Sequence, residues 1–236
     1  MSILRNAAVM ESALMITTEI SKVNVLMLVD INVCLRPVRI SFRWTMKVSK
    51  QQAQANRAHI VQTASALFRE RGYDGVGIAD LMAAAGFTQG GFYKHFESKA
   101  DLMAQASACG LAESAARTAG ASTEAFVNLY LSREHRDQRA TGCTLAALCS
   151  DAARKEDEVR AAFAAGIEAQ LSAMHEAKAD GEEQDPAARA ANLALMAQVL
   201  GGLIMSRACP DDSALADEIL AACRADIQGR QDEEQS

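Results

Sequence analysis

The stretch from Gly77 to Lys99, GIADLMAAAGFTQGGFYKHFESK, decides how the chain folds. Ile78, Leu81, Met82 and Ala85 recur at helical spacing, which gives a short helix one apolar face and leaves Asp80 to solvent. Gly86 ends that helix, because glycine enters the left-handed region without a Cβ penalty. Phe87 packs behind the turn, and the Thr88 hydroxyl stands where it can accept a hydrogen bond from a free amide of a second helix. That second helix, Gln89 to Phe96, buries Phe92 and Phe96, four residues apart, and turns Gln89, Tyr93 and Lys94 outward. Gly90 and Gly91 in its first turn each cost roughly 1 kcal/mol against alanine, so a helix that keeps them needs its backbone close to something. The pattern is helix, tight turn, helix. A helix of this size fits the major groove of a duplex, about 12 Å wide, with its N-terminal residues at the base edges. Ser98 then opens a further helix, with Asp101 in an imperfect capping box and Lys99 at a helix N-terminus, where phosphate is favoured.

With the residues before and after it, LFRERGYDGVGIADLMAAAGFTQGGFYKHFESKADL resembles the N-terminal DNA-binding domain of TetR-family, AcrR-like transcriptional regulators. The resemblance covers about Lys50 to Ala106. It rests on an RG(Y/F) turn closing the first helix and on the aromatic pair, tyrosine and lysine around the third. It implies an all-α protein in which an N-terminal three-helix helix-turn-helix domain joins a C-terminal helical domain for ligand binding and dimerisation. It also implies that Tyr93 and Lys99 hold phosphates while Gln89, Gly90, Gly91, Lys94 and His95 face the groove. Gly91 stands where many members have Thr or Ser, and Gly77 where the second helix is usually capped by Thr or Ser.

Charge divides the chain in the same way. The net charge of −6 hides 7 basic and 4 acidic side chains over residues 47–99 against 12 and 23 over residues 100–236. The positive charge sits with the helix-turn-helix, and the acidic remainder keeps the rest of the molecule off a duplex. Half of the 236 residues are hydrophobic, enough for a sizeable core, and scarce aromatics with abundant alanine favour closely packed helices. Cysteines at 34, 109, 143, 149, 209 and 223 form no CxxC, and the four histidines are scattered, so we expect no metal, no disulfide framework and a reducing cytoplasm.

Residues 1–45 read differently from the rest. Val23 to Leu35 is β-branched but has no partner strand in sequence, is too short to span a bilayer, and follows no export signal. We expect Met46 to be the natural start and residues 1–45 to be a non-family extension. Residues 46–100 then form the DNA-binding domain, 101–228 the effector-binding and dimerisation domain, and 229–236 a polar, frayed tail. The first helix runs from Lys50 to Arg71, with Ile60, Val61, Ala64, Leu67 and Phe68 on one stripe and Gly72 closing it. Lys47 and Lys50 at its start read as backbone contacts; Arg69 and Arg71 near its end suit the helix dipole. A long helix follows from Lys99 towards Arg117. Further helices are expected over Ser122–Arg133, Thr144–Lys155, Asp157 to about Lys178, Pro186–Arg207 and Ser213–Gln228, with a charged connector from Glu134 to Gly142 and an acidic loop around Gly181 to Asp185.

These readings converge on a sequence-specific DNA-binding regulator, a repressor by resemblance, that leaves its operator when a small molecule or reactive electrophile acts on the C-terminal helices. Its partners are double-stranded DNA with an inverted-repeat operator, a second copy of itself through the helices at about 186–207 and 213–228, and an unknown effector; no membrane and no cofactor are expected. Candidate effector residues are Phe126, Tyr130, Leu148, Phe163, Ile167, Met174 and Met196, although apolar residues at helical spacing are more often plain core. Cys143, after Gly142 at the start of a helix, is the candidate sensor, since amide dipoles there favour a thiolate. An enzyme with an appended DNA-binding head would need a catalytic cluster, and the chain has no GxSxG, phosphate-cradling glycine loop or evident carboxylate pair. An architectural DNA protein would need a basic C-terminal part.

Overall fold

The computed structural model describes residues 49–176 and 185–234, so the expectations for residues 1–45 and for most of the acidic loop lie outside the described residues. Among them the order is α1 (Lys50–Arg71), α2 (Ile78–Ala84), a 3-10 helix (Gln89–Lys94), α3 (Lys99–Thr118), α4 (Thr123–Tyr130), α5 (Arg133–Asp137), α6 (Thr144–Ala152), α7 (Asp157–Glu176), α8 (Pro186–Ala208) and α9 (Ala214–Glu234), with no strand.

Local chemistry sets the ends of α1. The Ser49 hydroxyl accepts the Gln52 amide, and Gly72, at φ 72°, donates its N–H to the Phe68 carbonyl. The buried stripe Ile60, Val61, Ala64 and Phe68 joins Leu81 and Met82 of α2, Phe92 of the 3-10 helix and Leu102 of α3 in one core. Tyr73, directly after the turn, is fully buried edge-on to Phe68, 5.1 Å between ring centroids. Its hydroxyl shares a 2.5 Å hydrogen bond with Ser107 of α3, and burial pushes the phenol up to about 12, so it stays neutral. The RGY turn therefore ties α1 to the long helix α3.

α3 makes its most extensive packing with α7. At their contact Gly166 has no room for a side chain, because a Cβ would fall 2.5 Å from a Leu111 methyl. α8 and α9 pair in the same manner: a Cβ on Gly202 would meet the Cys223 sulfur at 2.9 Å, and the Ser206 hydroxyl donates to the Ala216 carbonyl. α8 is long and apolar enough to suit a membrane by composition, yet here it buries Met196, Val199 and Leu203 within the helical body.

Several boundaries differ from the sequence reading. The second helix of the helix-turn-helix is a 3-10 helix ending at Lys94, closed by i to i−3 bonds such as His95 N–H to the Phe92 carbonyl. The Thr88 hydroxyl makes no capping bond; its carbonyl takes the Gly91 amide instead. The expected helix over Ser122–Arg133 stops at Tyr130, because the Ser132 hydroxyl accepts the His135 amide and starts α5 inside the supposed connector. α6 ends at Ala152 rather than Lys155. α9 continues to Glu234, six residues past Gln228; Arg230, paired with Asp226 one turn earlier, carries it past Gly229.

Candidate functional site

The turn before the reading helix is set by Gly86 at φ 79°, whose amide donates to the Ala83 carbonyl while the Phe87 amide donates to Met82. Phe92 and Phe96 are buried behind the helix with ring centroids 5.5 Å apart. This leaves Thr88, Gln89, Gly90, Tyr93 and Lys94 exposed, Tyr93 most of all at 73%, with Gly91, His95 and Lys99 partly exposed beside them. Lys50 is exposed in the first turn of α1. A Cβ on Gly90 would touch nothing within 4 Å, and one on Gly91 would make only ordinary contact with Met82, so side-chain packing does not require either glycine.

The segment that leaves the 3-10 helix is anchored. Arg57 of α1 donates from Nε to the His95 carbonyl at 3.1 Å and lies 5.2 Å over the Phe96 ring. Sequence reasoning missed Arg57, since a bond spanning 38 residues leaves no local signal. On the other side the capping box at the start of α3 closes: Ser98 Oγ accepts the Asp101 amide and Asp101 Oδ2 accepts the Glu97 amide. Lys99 donates from Nζ to the Tyr73 carbonyl at 2.7 Å, so one of its three protons is held by the turn after α1.

The apolar effector candidates fall mainly in packed core. Phe126, Leu148, Phe163, Met174 and Met196 belong to the buried cluster and Ile167 packs against it. Tyr130 alone of that set borders the cleft of about 320 Å³ between the end of α3, α4, α5 and the loop before α6. The rest of the cleft wall is more polar than the sequence suggested, with Ser114, Arg117, Ser132, His135 and Gly142.

Around this cleft, arginines from three helices converge on backbone carbonyls between His135 and Gly142. Arg69 of α1 donates to Ala140, Arg117 of α3 to Thr141 and Gly142, and Arg207 of α8 to His135 and Arg136. Arg69, read from the sequence as a helix-dipole residue, is only 8% exposed and also reaches Ser65 Oγ and Thr144 Oγ1. Burial lowers its pKa, with Glu113 at 3.9 Å opposing.

Cys143 is the N-cap residue of α6 and 1% exposed. Its sulfur accepts the Tyr130 hydroxyl at 3.0 Å, and its amide donates to His135 Nε2 at 3.1 Å. Because Nε2 accepts, the imidazole proton is on Nδ1 and goes to the Tyr130 carbonyl. Burial lowers the His135 pKa, and the Arg207 and Arg117 charges add to that effect, so the ring is neutral. The thiol is thus sealed behind Tyr130, at the edge of the cleft.

An exposed short helix, braced from behind by paired phenylalanines and tethered beyond its C-terminal end, has the helix-turn-helix geometry that fits a major groove. Residues 60–106 match the family described as bacterial regulatory proteins, tetR family. The regulator AcrR of Shigella flexneri is 39% identical over 57 residues, 24% of this chain and 26% of that protein. The repressor DhaR of Mycobacterium sp. strain GP1 is 49% identical over 43 residues, 18% of this chain and 22% of that protein. The chain thus spans about a quarter of the length of these curated relatives. A TetR-family regulator from Agrobacterium tumefaciens matches in fold at a TM-score of 0.59 and 21% identity, over 75% of this chain and 98% of that one. Residues 60–106 are thus similar to the DNA-binding domain of tetR-family regulators, and the helical fold as a whole is similar to that of such regulators. Such relatives are regulators, not enzymes.

Proposed function

We propose that this protein is a homodimeric DNA-binding transcriptional regulator that acts in the cytoplasm, represses from an inverted-repeat operator, and is released by a small molecule acting on its C-terminal helices. The observation that carries the reading is the exposed face of the 3-10 helix within a matching DNA-binding domain. In this reading Gln89, Lys94 and His95 meet base edges, and Gly90 and Gly91 let the backbone approach the groove. Tyr93, Lys99, Lys50 and Thr88 hold the sugar-phosphate backbone. Dimerisation is supported by Leu193, Ile204 and Met205 of α8 and Leu215 of α9, which are large apolar side chains left exposed on the two terminal helices. Two copies would supply the paired half-sites that one short helix cannot read alone.

The test is binding to DNA from the gene's own promoter, with footprinting to seek an inverted repeat. Lys99→Ala should weaken operator and random DNA alike and reduce the salt slope by about one unit. Since Lys99 also holds Tyr73, its melting temperature is measured in parallel. Gln89→Ala should cost about 1–3 kcal/mol on the right sequence only. Equal weakening on all sequences would remove Gln89 as a base reader, and a single half-site bound by a monomer would overturn the dimer.

A second reading, release by an electrophile at Cys143, is favoured by the place of that sulfur beside the cleft, where it accepts the Tyr130 hydroxyl, and opposed by its burial. N-ethylmaleimide should then release DNA from wild type and not from Cys143→Ser; equal release from both would leave the reversible ligand as the account.

A further inference from the structure

Resting on that reading of an effector-released regulator, we infer that the cleft beside Tyr130 takes a small organic monocarboxylate. Arg117 grips it in place of the Thr141 and Gly142 carbonyls, and this exchange loosens the segment Ala140–Thr144 from Arg69 of the DNA-binding head.

The cleft lies at the small end of ligand sites, which run from about 300 to 1,000 Å³, so its occupant is compact. Leu129, the Tyr130 ring and the Thr118 methyl offer the cleft apolar surface for the body of a ligand, and Arg117 lines the same cleft. The Arg117 guanidinium spends its donors on neutral acceptors: the Thr141 carbonyl at 2.8 Å, the Gly142 carbonyl at 3.4 Å and Ser114 Oγ at 3.3 Å. A carboxylate binds a guanidinium through two parallel charge-assisted bonds, each roughly twice as strong as a neutral one, and displaces carbonyls from it. Glu134 lines the same cleft and is bonded by Gln138 at 3.2 Å; its charge selects against a ligand with a second carboxylate.

The route to DNA runs through the backbone that Arg117 now holds. Thr141 and Gly142 lie between Ala140, whose carbonyl takes Arg69 Nε at 2.7 Å, and Thr144, whose hydroxyl takes Arg69 Nη1 at 3.3 Å. Among the described residues, the buried Arg69 cation has the half-exposed Glu113 as its counterion at 3.9 Å, so it depends on these neutral acceptors. The socket closes on Gly110 of α3: a Cβ there would collide with Arg69 Nη1, Thr144 Oγ1 and Ser65 Oγ. Just beyond the other end of α6, Lys155 pairs with Asp74 of the head at 2.6 Å. The head therefore grips both ends of α6, and the cleft touches the segment leading into one of them.

The experiment measures binding and release separately. Calorimetry on the full chain without DNA uses benzoate and hexanoate, their neutral amides benzamide and hexanamide, and the dianion phthalate. The monocarboxylates are expected to bind and the amides and phthalate not, with affinity falling about tenfold or more in Arg117→Gln and less in Arg117→Lys. If neither monocarboxylate binds, if the amides bind as well, or if Arg117→Gln binds benzoate unchanged, the carboxylate assignment is overturned. Gel shifts then ask whether benzoate releases promoter DNA and whether Gly110→Ala, folded by circular dichroism and still binding benzoate, has lost DNA affinity without ligand. Benzoate bound with DNA retained, or Gly110→Ala binding DNA like wild type, overturns the relay. Failure of the wild type to bind DNA under any condition strikes the regulator reading itself, while calorimetry still decides the carboxylate site.

Discussion

His135 shows how one side chain can make the loop before α6 sensitive to acid. Its Nε2 accepts the Cys143 amide, so protonation removes the acceptor and sets a cation beside Arg117 and Arg207. The Tyr130 ring also faces it edge-on, 4.8 Å between centroids. Its folded pKa is lowered below the ordinary value of about 6.5, so the neutral form contributes stability that is fully present above that value. The contribution is lost as pH falls through the folded pKa. The melting temperature of the wild type is therefore expected to drop below about pH 6 more steeply than that of His135→Asn, with the two compared by calorimetry across the acid range. Parallel curves would show that His135 does not titrate in this way. None of this was legible in the sequence, where His135 stood among scattered histidines: its partners come from α3, α8 and the loop, and only folding brings them together.

The reading helix was legible because its signals are local. Gly86, the Phe92–Phe96 spacing and the Ser98–Asp101 box act within a few residues, and each does in the fold what its chemistry implies. Its winding was not legible, and neither was the Arg57 bond onto the His95 carbonyl at its end, which crosses from another element. The open space above Gly90 yields a test at this level. Gly90→Ala should leave the fold intact and raise stability by up to about 1 kcal/mol, because the unfolded chain loses freedom and nothing within the head is crowded. Its DNA affinity should nonetheless fall, since the added methyl stands on the face proposed to approach the groove. Denaturant unfolding and gel shifts measured on one preparation would expose the opposition, and unchanged DNA binding would show that the glycine is not there for the duplex.

Across the whole molecule, periodicity located the helices but not the cleft. Phe126, Leu148 and Phe163 fill core, whereas Arg117 and His135 gave no sequence signal because their roles depend on loop carbonyls and on helices far apart in the chain. The terminal pair α8 and α9 was easier to read, since its apolar surplus exceeds what one packed face absorbs. Met205 is 59% exposed and Gly201 has nothing within 4 Å of a Cβ position, so this surface has room for a partner. Met205→Arg should therefore leave the monomer fold and its melting behaviour nearly unchanged, as exposed substitutions do, while shifting sedimentation from dimer to monomer and weakening operator binding. A variant that stayed dimeric would move the interface elsewhere.

If pairing runs through these exposed side chains, the regulator counts its own copies. Well below the dissociation constant for pairing, the concentration of dimers follows the square of the concentration of chains, so a twofold dilution by growth without new synthesis would cut operator occupancy about fourfold. Abundance would then be an input alongside any ligand, and a promoter under this protein would respond to growth and dilution even in a cell where the effector never changes.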